Sequence, residues 1–320
     1  MTTILAADIG ATHARFAAFT HGPAGLAPGR SLWLDSAGAG SLAGLLDALR
    51  RAEPALDPAR ADAVALAVPG PVRDGVFCAP PNLPWSIDVS DPGALGLGRV
   101  VLLNDFQAQA WAVLTGVMDT AVPVLPGAPG SAPGLGGPVA VLGPGTGMGQ
   151  ALLAPDGRGG HVALASEGGH ALFPFQGEEE FAFQRFLLAR GGRSRVVGDM
   201  VVSGPGLAAV HAFLSGEELA PAQVAGRLDR HPRTLRWAAR FLGRACRDHV
   251  LRTAALGGLV VCGGVAARNP ALLADPAFAA EFLASDTHAD FLAAVSVRLN
   301  TAQDSGLWGA AYHGAAMLGP

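Results

Sequence analysis

Along this 320-residue chain, short apolar runs cut by glycine and proline alternate with longer segments of helical period. Thr3–Ile9 and Ala14–Thr20 read as buried strands joined by a tight turn, with a third antiparallel strand near Ser31–Leu34. Leu42–Glu53 reads as a helix, and residues 61–72 as a buried strand stopped by Pro69-Gly70. Residues 99–114 read as a strand that passes into a helix at Asn104-Asp105. The Pro- and Gly-rich residues 122–137 predict a loop and the hinge between two lobes. A helix is expected from about Glu178, its acidic triplet Glu178–Glu180 forming a solvated first turn at the positive end of the helix dipole. Pro232–Leu256 predicts a long amphipathic helix with arginines on one face. A buried strand over 257–264 and a closing helix of small residues over Ser305–Leu318 follow.

Two glycine turns interrupt this pattern. Residues 138–154 run from one apolar strand through Gly143, Gly145, Thr146, Gly147 and Gly149 into a second apolar run at Gln150–Ala154. Glycines at alternate positions expose backbone N–H groups and admit an anion closely, and the Thr146 hydroxyl adds a donor. The turn leads from strand to strand, whereas a dinucleotide-binding G-x-G-x-x-G opens a helix. The segment therefore predicts a phosphate-gripping hairpin. The chain opens on a hairpin of the same design, with Asp8 at the end of the first strand and Gly10, Ala11 and Thr12 in the turn. Two such hairpins, each with a threonine and each starting one half, predict a nucleotide gripped by both halves. No repeat of short solenoid period accompanies them.

Half of the residues are apolar and only 15% are charged, enough for large cores and about two domains. A net charge of −4 gives no electrostatic basis for nucleic-acid binding. No uncharged apolar run is long enough to predict a membrane span. The N-terminus has no basic segment and enters a strand at once, so no signal peptide is expected. Cys78, Cys246 and Cys262 are scattered and odd in number, which fits reduced thiols in a cytoplasm. All 22 Lys and Arg positions are arginine. The absence of lysine excludes a Walker A loop, a protein-kinase lysine and a pyridoxal Schiff base.

In order, the chain reads DIGATHAR (8–15), PNLPWS (81–86), LNDF (103–106), GPGTGMG (143–149), SEGGH (166–170), VVSGPGL (201–207) and CGGVAAR (262–268). This series, running nearly end to end, resembles the bacterial glucokinase family of the actin/hexokinase superfamily. The resemblance implies an α/β fold of two actin-like, ribonuclease-H-like lobes, each a mixed β-sheet flanked by helices. The small lobe would cover residues 1–116, with 305–320 returning to it, and the large lobe 117–304. The implied activity is ATP-dependent phosphorylation of glucose to glucose 6-phosphate with Mg²⁺, in a cytoplasmic homodimer with no nucleic-acid or membrane partner. Related sugar kinases follow their GH with a cysteine-rich zinc motif. No cysteine lies between Cys78 and Cys246, so no zinc site is expected at His170.

Asp105 matches the family's catalytic base. An ionised carboxylate at a strand end can take the proton of a sugar hydroxymethyl as its oxygen attacks phosphorus. From the residues alone, an N-cap for the following helix is the alternative. Asn104 can bond a hydroxyl in either direction, and the resemblance places it on the sugar. Glu167 and His170 match the family's sugar pair, groups suited to adjacent hydroxyls. Asn82 reaches the sugar or is a turn asparagine. Asp8, Gly10, Ala11 and Thr12 match the first phosphate motif, with Asp8 expected to hold Mg²⁺ through water. Gly145, Thr146 and Gly147 match the second. Gly263-Gly264 admit the adenine ring or simply end a strand.

Three positions depart from the family pattern: Ala11 stands for Gly, His13 for Asn, and Asp199 for a Glu that binds the sugar near its anomeric carbon. A carboxylate one methylene shorter loses that contact, uses water, or is met by a shifted backbone. The plainer alternative is a surface aspartate. For the whole chain the alternatives are a kinase for another hexose, such as mannose or fructose, and a non-catalytic sugar-sensing protein. Such regulators carry a DNA-binding helix-turn-helix before the first strand, which here begins at residue 3.

Overall fold

A computed structural model describes residues 1–128 and 136–319. Two compact units compose it. The first comprises Met1–Asp119, Ala163–Ala165 and the segment from Ala302 onward; the second comprises Thr120–Val162 and Ser166–Thr301.

The first unit is built on β1 (Thr2–Ile9), β2 (His13–Gly22), β3 (Gly25–Asp35), β4 (Ala63–Val68), a short ribbon of β5 (Phe77–Cys78) with β6 (Ile87–Asp88), and β7 (Val100–Asn104). The main sheet has the order β3-β2-β1-β4-β7. β1, β2 and β3 are antiparallel neighbours, whereas β4 and β7 add in parallel. The run AVALAV of β4 is buried at every position, as a strand covered on both faces requires. β3 is longer than its sequence suggests because it is a mostly exposed edge strand, and its first half, GLAPG, carries no apolar alternation.

The helix Leu42–Ala52 starts at a Ser41 cap that accepts from Gly44 N and buries Leu42, Leu45, Leu46 and Leu49. With Ile9, Phe16, Leu66 and Leu102 these leucines form the core. The closing helix Ser305–Ala316 needs its small residues for close approach: a Cβ on Gly309 would stand 1.7 Å from Ala108 O, and one on Gly314 3.0 Å from Ile4.

The second unit contains β8 (Val122–Leu125), β9 (Val139–Pro144), β10 (Met148–Pro155), β12 (Gly258–Val261) and β13 (Val297–Leu299); β11 (His161–Ser166) lies on its sheet edge. The order is β11-β10-β9-β12-β13-β8. Its first five strands repeat the order of the first sheet, so the likeness between the two glycine hairpins extends to whole sheets. A core of Phe183, Trp237, Phe241, Leu242 and Phe278 packs beneath.

Two sequence expectations are corrected here. The segment expected to be loop from residue 122 begins as β8, antiparallel to β13; Pro123 is tolerated because an edge strand need not donate on both sides. Residues 126–128 and 136–137 are irregular, as expected, and residues 129–135 lie outside the described residues. The second correction concerns Glu178–Glu180. Glu180 is not solvated: it is buried, accepts from Gln176 N (2.8 Å), and pairs with Arg244 (2.5 Å) and Arg240 (3.0 Å). Arg244, on the helix Pro232–Thr253, is itself fully buried and also meets Glu281 at 2.7 Å. The arginines of that helix are thus partly internal, held by carboxylates distant in sequence. Among the described residues, no helix is long and apolar enough to cross a membrane.

Candidate active site

The first phosphate turn joins β1 to β2 through Gly10–Thr12, closed by Gly10 N donating to His13 O at 2.9 Å. The N–H groups of Ala11 and Thr12 have no partner among the described residues. Ala11 has no left-handed backbone, so the glycine usual in the family is not required there by conformation. Asp8 is half-buried at the end of β1, opposite Arg15 on β2. Burial raises its carboxyl pKa, against the lowering pull of Arg15. Its carboxylate receives no hydrogen bond among the described residues, so a desolvated anionic group stands available to a hydrated cation. The residues present fit Mg²⁺ in that respect.

β7 delivers Asn104 and Asp105 to the start of the helix Asp105–Ala112. The N-cap alternative for Asp105 fails, because Asn104 takes that role. Its Oδ1 accepts from Phe106 N (2.9 Å) and Gln107 N (3.2 Å), and the Gln107 side chain returns a bond to Asn104 N to close a capping box. Asn104 Nδ2 donates to Gly70 O at 3.0 Å. Its acceptor oxygen is therefore engaged, and toward a sugar the remaining amide hydrogen is what it offers. Asp105 Oδ1 accepts from Phe106 N at 2.9 Å. Gly70 has φ +100°, a conformation suited to glycine, and a Cβ there would press on Pro81 at 3.2 Å. That contact sets the loop carrying the exposed Asn82 beside the residue that anchors Asn104.

In the second hairpin, Gly145 N donates to Gly147 O (2.7 Å), and Gly145 O accepts from Gly204 N (2.8 Å). Gly204 opens a helix capped by Ser203, whose hydroxyl accepts from Gly206 N at 3.1 Å. Gly145 and Thr146 line a cavity of about 790 Å³ with Gly204, Pro205, Gly264 and Arg268. The size suits a nucleotide-sized ligand, and a helix N-terminus on its wall favours anions. Gly263 has φ +81° and leaves no room for a Cβ, which would stand 2.7 Å from Pro144 O. It holds β12 against the hairpin while Gly264 lines the cavity.

The SEGGH turn packs directly on β10. A Cβ on Gly168 would meet Gln150 Oε1 at 2.1 Å, and one on Gly169 would meet Met148 O at 2.0 Å. The two glycines are thus accounted for by this packing. The turn brings Glu167 and His170 together with Asp199: His170 Nε2 lies 3.6 Å from Glu167 Oε2, and His170 Nδ1 3.6 Å from Asp199 Oδ2. These separations exceed a hydrogen bond, leaving the polar atoms able to meet hydroxyls. Asp199 Oδ1 does make a strong bond, accepting from Met148 N at 2.6 Å. Its carboxylate fills the space a side chain would need at Gly147 or Gly169.

Sequence reading did not single out Ser203 or Gln107, although Ser-Gly-Pro before an apolar run is a helix-start signal and Asn104-x-x-Gln107 is a capping box. Arg268 on the cavity wall ends the run CGGVAAR, which by itself assigns it no role, and the buried Ser36 beside the first turn carries no local signal.

The Glucokinase family model matches residues 5–317 of this chain. The chain is 33% identical over 333 residues to a glucokinase of Chromobacterium violaceum, covering 99% of this chain and 90% of that protein. It superposes on the crystal structure of a glucokinase from an Antarctic psychrotroph with a TM-score of 0.81, at 28% identity over 99% of both chains. A ROK family glucokinase from Streptomyces griseus, solved in complex with glucose and AMPPNP, shares the fold at a TM-score of 0.59 and 20% identity, over 98% of this chain and 99% of that one. Two mixed sheets flanked by helices are therefore the α/β fold of the actin/hexokinase sugar kinases. Matched by that family model over nearly its whole length and aligned end to end with a bacterial relative, the chain belongs to the glucokinase family.

Proposed function

We propose that this protein transfers the terminal phosphoryl group of ATP to the 6-hydroxyl of glucose, releasing glucose 6-phosphate and ADP. The observation that carries this reading is the position of Asp199. It accepts from Met148 at the phosphate hairpin and lies 3.6 Å from His170 in the sugar motif, so one carboxylate serves both. The glucose and AMPPNP bound by the Streptomyces griseus protein support the same pair of ligands.

In this reading Glu167, His170 and Asp199, with Asn104 and Asn82, hold the hydroxyls of the sugar. Asp105 takes the proton of the 6-hydroxyl as that oxygen attacks the γ-phosphorus. The N–H groups of Ala11, Thr12, Thr146 and Gly147 receive the phosphate oxygens, and Gly263-Gly264 admit the base to the cavity that Gly264 lines. A Mg²⁺ ion bound with the nucleotide would supply neutralisation of the phosphate charge, and Asp8 is the residue to hold it through water. The buried Cys78, Cys246 and Cys262, none of them in a disulfide, support residence in a reducing cytoplasm. Assembly as a homodimer belongs to the same proposal, and light scattering at the 32.3 kDa monomer mass would refute it.

A kinase for another hexose is the second reading. It is favoured by Asp199 Oδ1, which is committed to Met148 N and so leaves one oxygen for the anomeric end of a sugar. Initial rates with glucose, mannose and fructose, read as ADP release with MgATP, decide between the two. Glucose should give the highest kcat/KM. A higher value for mannose or fructose establishes the second reading, and no turnover of any hexose sinks both.

A further inference from the structure

Ser36 follows β3 and is wholly buried, at 0% exposure. Its N–H donates to Thr12 O at 3.0 Å, and its hydroxyl donates to Gly10 O at 2.6 Å. Its own carbonyl accepts the indole N–H of Trp85 at 3.1 Å. Ser36 stands at the start of a single 3₁₀ turn, Ala37–Ala39, yet its hydroxyl caps nothing there. The side chain is committed to the phosphate turn instead of to the local helix, against the ordinary preference of serine at such a position.

Trp85 belongs to the loop PNLPW, three residues after Asn82, and its ring packs against the core that buries Leu83. One chain of contacts therefore runs from the core, through Trp85 and Ser36, to both carbonyls of the turn. With the carbonyls of Gly10 and Thr12 held from behind, the turn cannot rotate its peptide groups to present oxygen to an anion. The N–H groups of Ala11 and Thr12 remain without a partner among the described residues.

We propose that Ser36 and Trp85 are positioning residues that lock the Gly10–Thr12 turn with its N–H groups available to the donor phosphates. The proposal rests on the reading above for the identity of the nucleotide. It differs from that reading in placing part of the nucleotide affinity on two residues that touch neither substrate.

The test is calorimetric titration of the whole protein with AMPPNP and Mg²⁺, beside titration with glucose alone, for wild type, Ser36→Ala and Trp85→Phe. Loss of one buried hydrogen bond from the strap should weaken AMPPNP about three- to ten-fold in Ser36→Ala. Trp85→Phe keeps the aromatic packing and loses only the indole donor, so a two- to five-fold weakening is expected, on the order of one weaker hydrogen bond. Glucose affinity should stay within about twofold in both, the split that a general loss of structure would not produce. AMPPNP affinity within twofold of wild type in Ser36→Ala overturns the proposal, as does an equal weakening of glucose. If Ser36→Ala does not fold, unchanged AMPPNP affinity in Trp85→Phe overturns it. Because binding is read without turnover, a wild type that binds AMPPNP but phosphorylates no hexose defeats the kinase reading and leaves this test intact. A wild type that binds no AMPPNP defeats both.

Discussion

Replacing Asp199 with alanine should damage both substrate sites at once. The carboxylate accepts from Met148 N at 2.6 Å, a length typical of a charge-assisted bond, and its side chain is 27% exposed. Hydrogen bonds to charged groups contribute about 1.5–3 kcal/mol, and partial exposure places this one in the lower half, about 1.5–2 kcal/mol. That corresponds to a loss of roughly ten- to thirty-fold in kcat/KM if the turn is needed in place for transfer. The loss should extend to ATP. Asp199 is the wall against which Gly147 of the phosphate hairpin and Gly169 of the sugar turn both pack, with hypothetical Cβ distances of 2.9 and 2.8 Å.

Two further substitutions separate the contributions. Asp199→Asn keeps an acceptor for Met148 N at about half the strength, so about a three- to five-fold loss is expected. Asp199→Glu does not simply restore the family residue. It adds a methylene where the glycines leave no space, and overpacking of that kind costs about 1–3 kcal/mol. The assay is steady-state kinetics with both substrates varied. An Asp199→Ala variant with kcat/KM for ATP unchanged would refute the shared-wall argument, and unchanged values for both substrates would make Asp199 a surface residue.

Asp105→Asn should lower kcat by about a hundred- to ten-thousand-fold with glucose affinity far less affected. The fold should persist, because Asn104 and not Asp105 caps the helix; retention of more than about a tenth of wild-type turnover refutes the general-base role. Asp8 has a folded-state pKa raised by burial, so its contribution to stability is present in acid and lost as pH rises through that value. Asp8→Asn should therefore raise the apo melting temperature at pH 7 by roughly 1–3 °C, with a smaller gain below the carboxylate range, while turnover falls; a lower melting temperature at pH 7 contradicts the argument. Arg244→Met leaves the buried Glu180 with Arg240 alone and should cost up to about 3–5 kcal/mol in a urea titration. Adding Glu180→Leu should recover part of the loss, and a cost of Arg244→Met below about 1 kcal/mol would show the pair to be incidental.

What could be read from sequence was local. The continuous apolar runs of TILAADI and before Gly143, and the strand-to-helix change at Asn104-Asp105, mark elements whose causes lie within a few residues. What escaped depends on partners far along the chain. Glu180 resembles any exposed acid at a helix start, and its burial follows from Arg244, 64 residues later. Asp199 could be matched to the sugar motif, but not its bond from Met148, 51 residues earlier, which ties it to the phosphate hairpin. β8 was hidden by Pro123, a strand breaker in isolation that an edge position tolerates. Ser36 carries no pattern at all, since a lone serine after a strand is ordinary.

The two phosphate turns reach the same electrostatic result by different means. In the first, Ser36 binds the carbonyls of Gly10 and Thr12; in the second, Gly204 at a helix start binds the carbonyl of Gly145, and Asp199 braces Gly147. Each device turns peptide oxygens toward the protein, and the N–H groups of Ala11, Thr12, Thr146 and Gly147 are without partners among the described residues. A turn that exposes N–H groups would otherwise rotate to satisfy them internally, because an unpaired amide out of water is costly. Repetition of sheet order from one unit to the other explains why the turns occur at equivalent places, between β1 and β2 in the first sheet and between β9 and β10 in the second. It does not explain why they stay open to an anion. That property comes from the residues behind each turn, and these are the places where substitution should lower nucleotide affinity without touching the nucleotide.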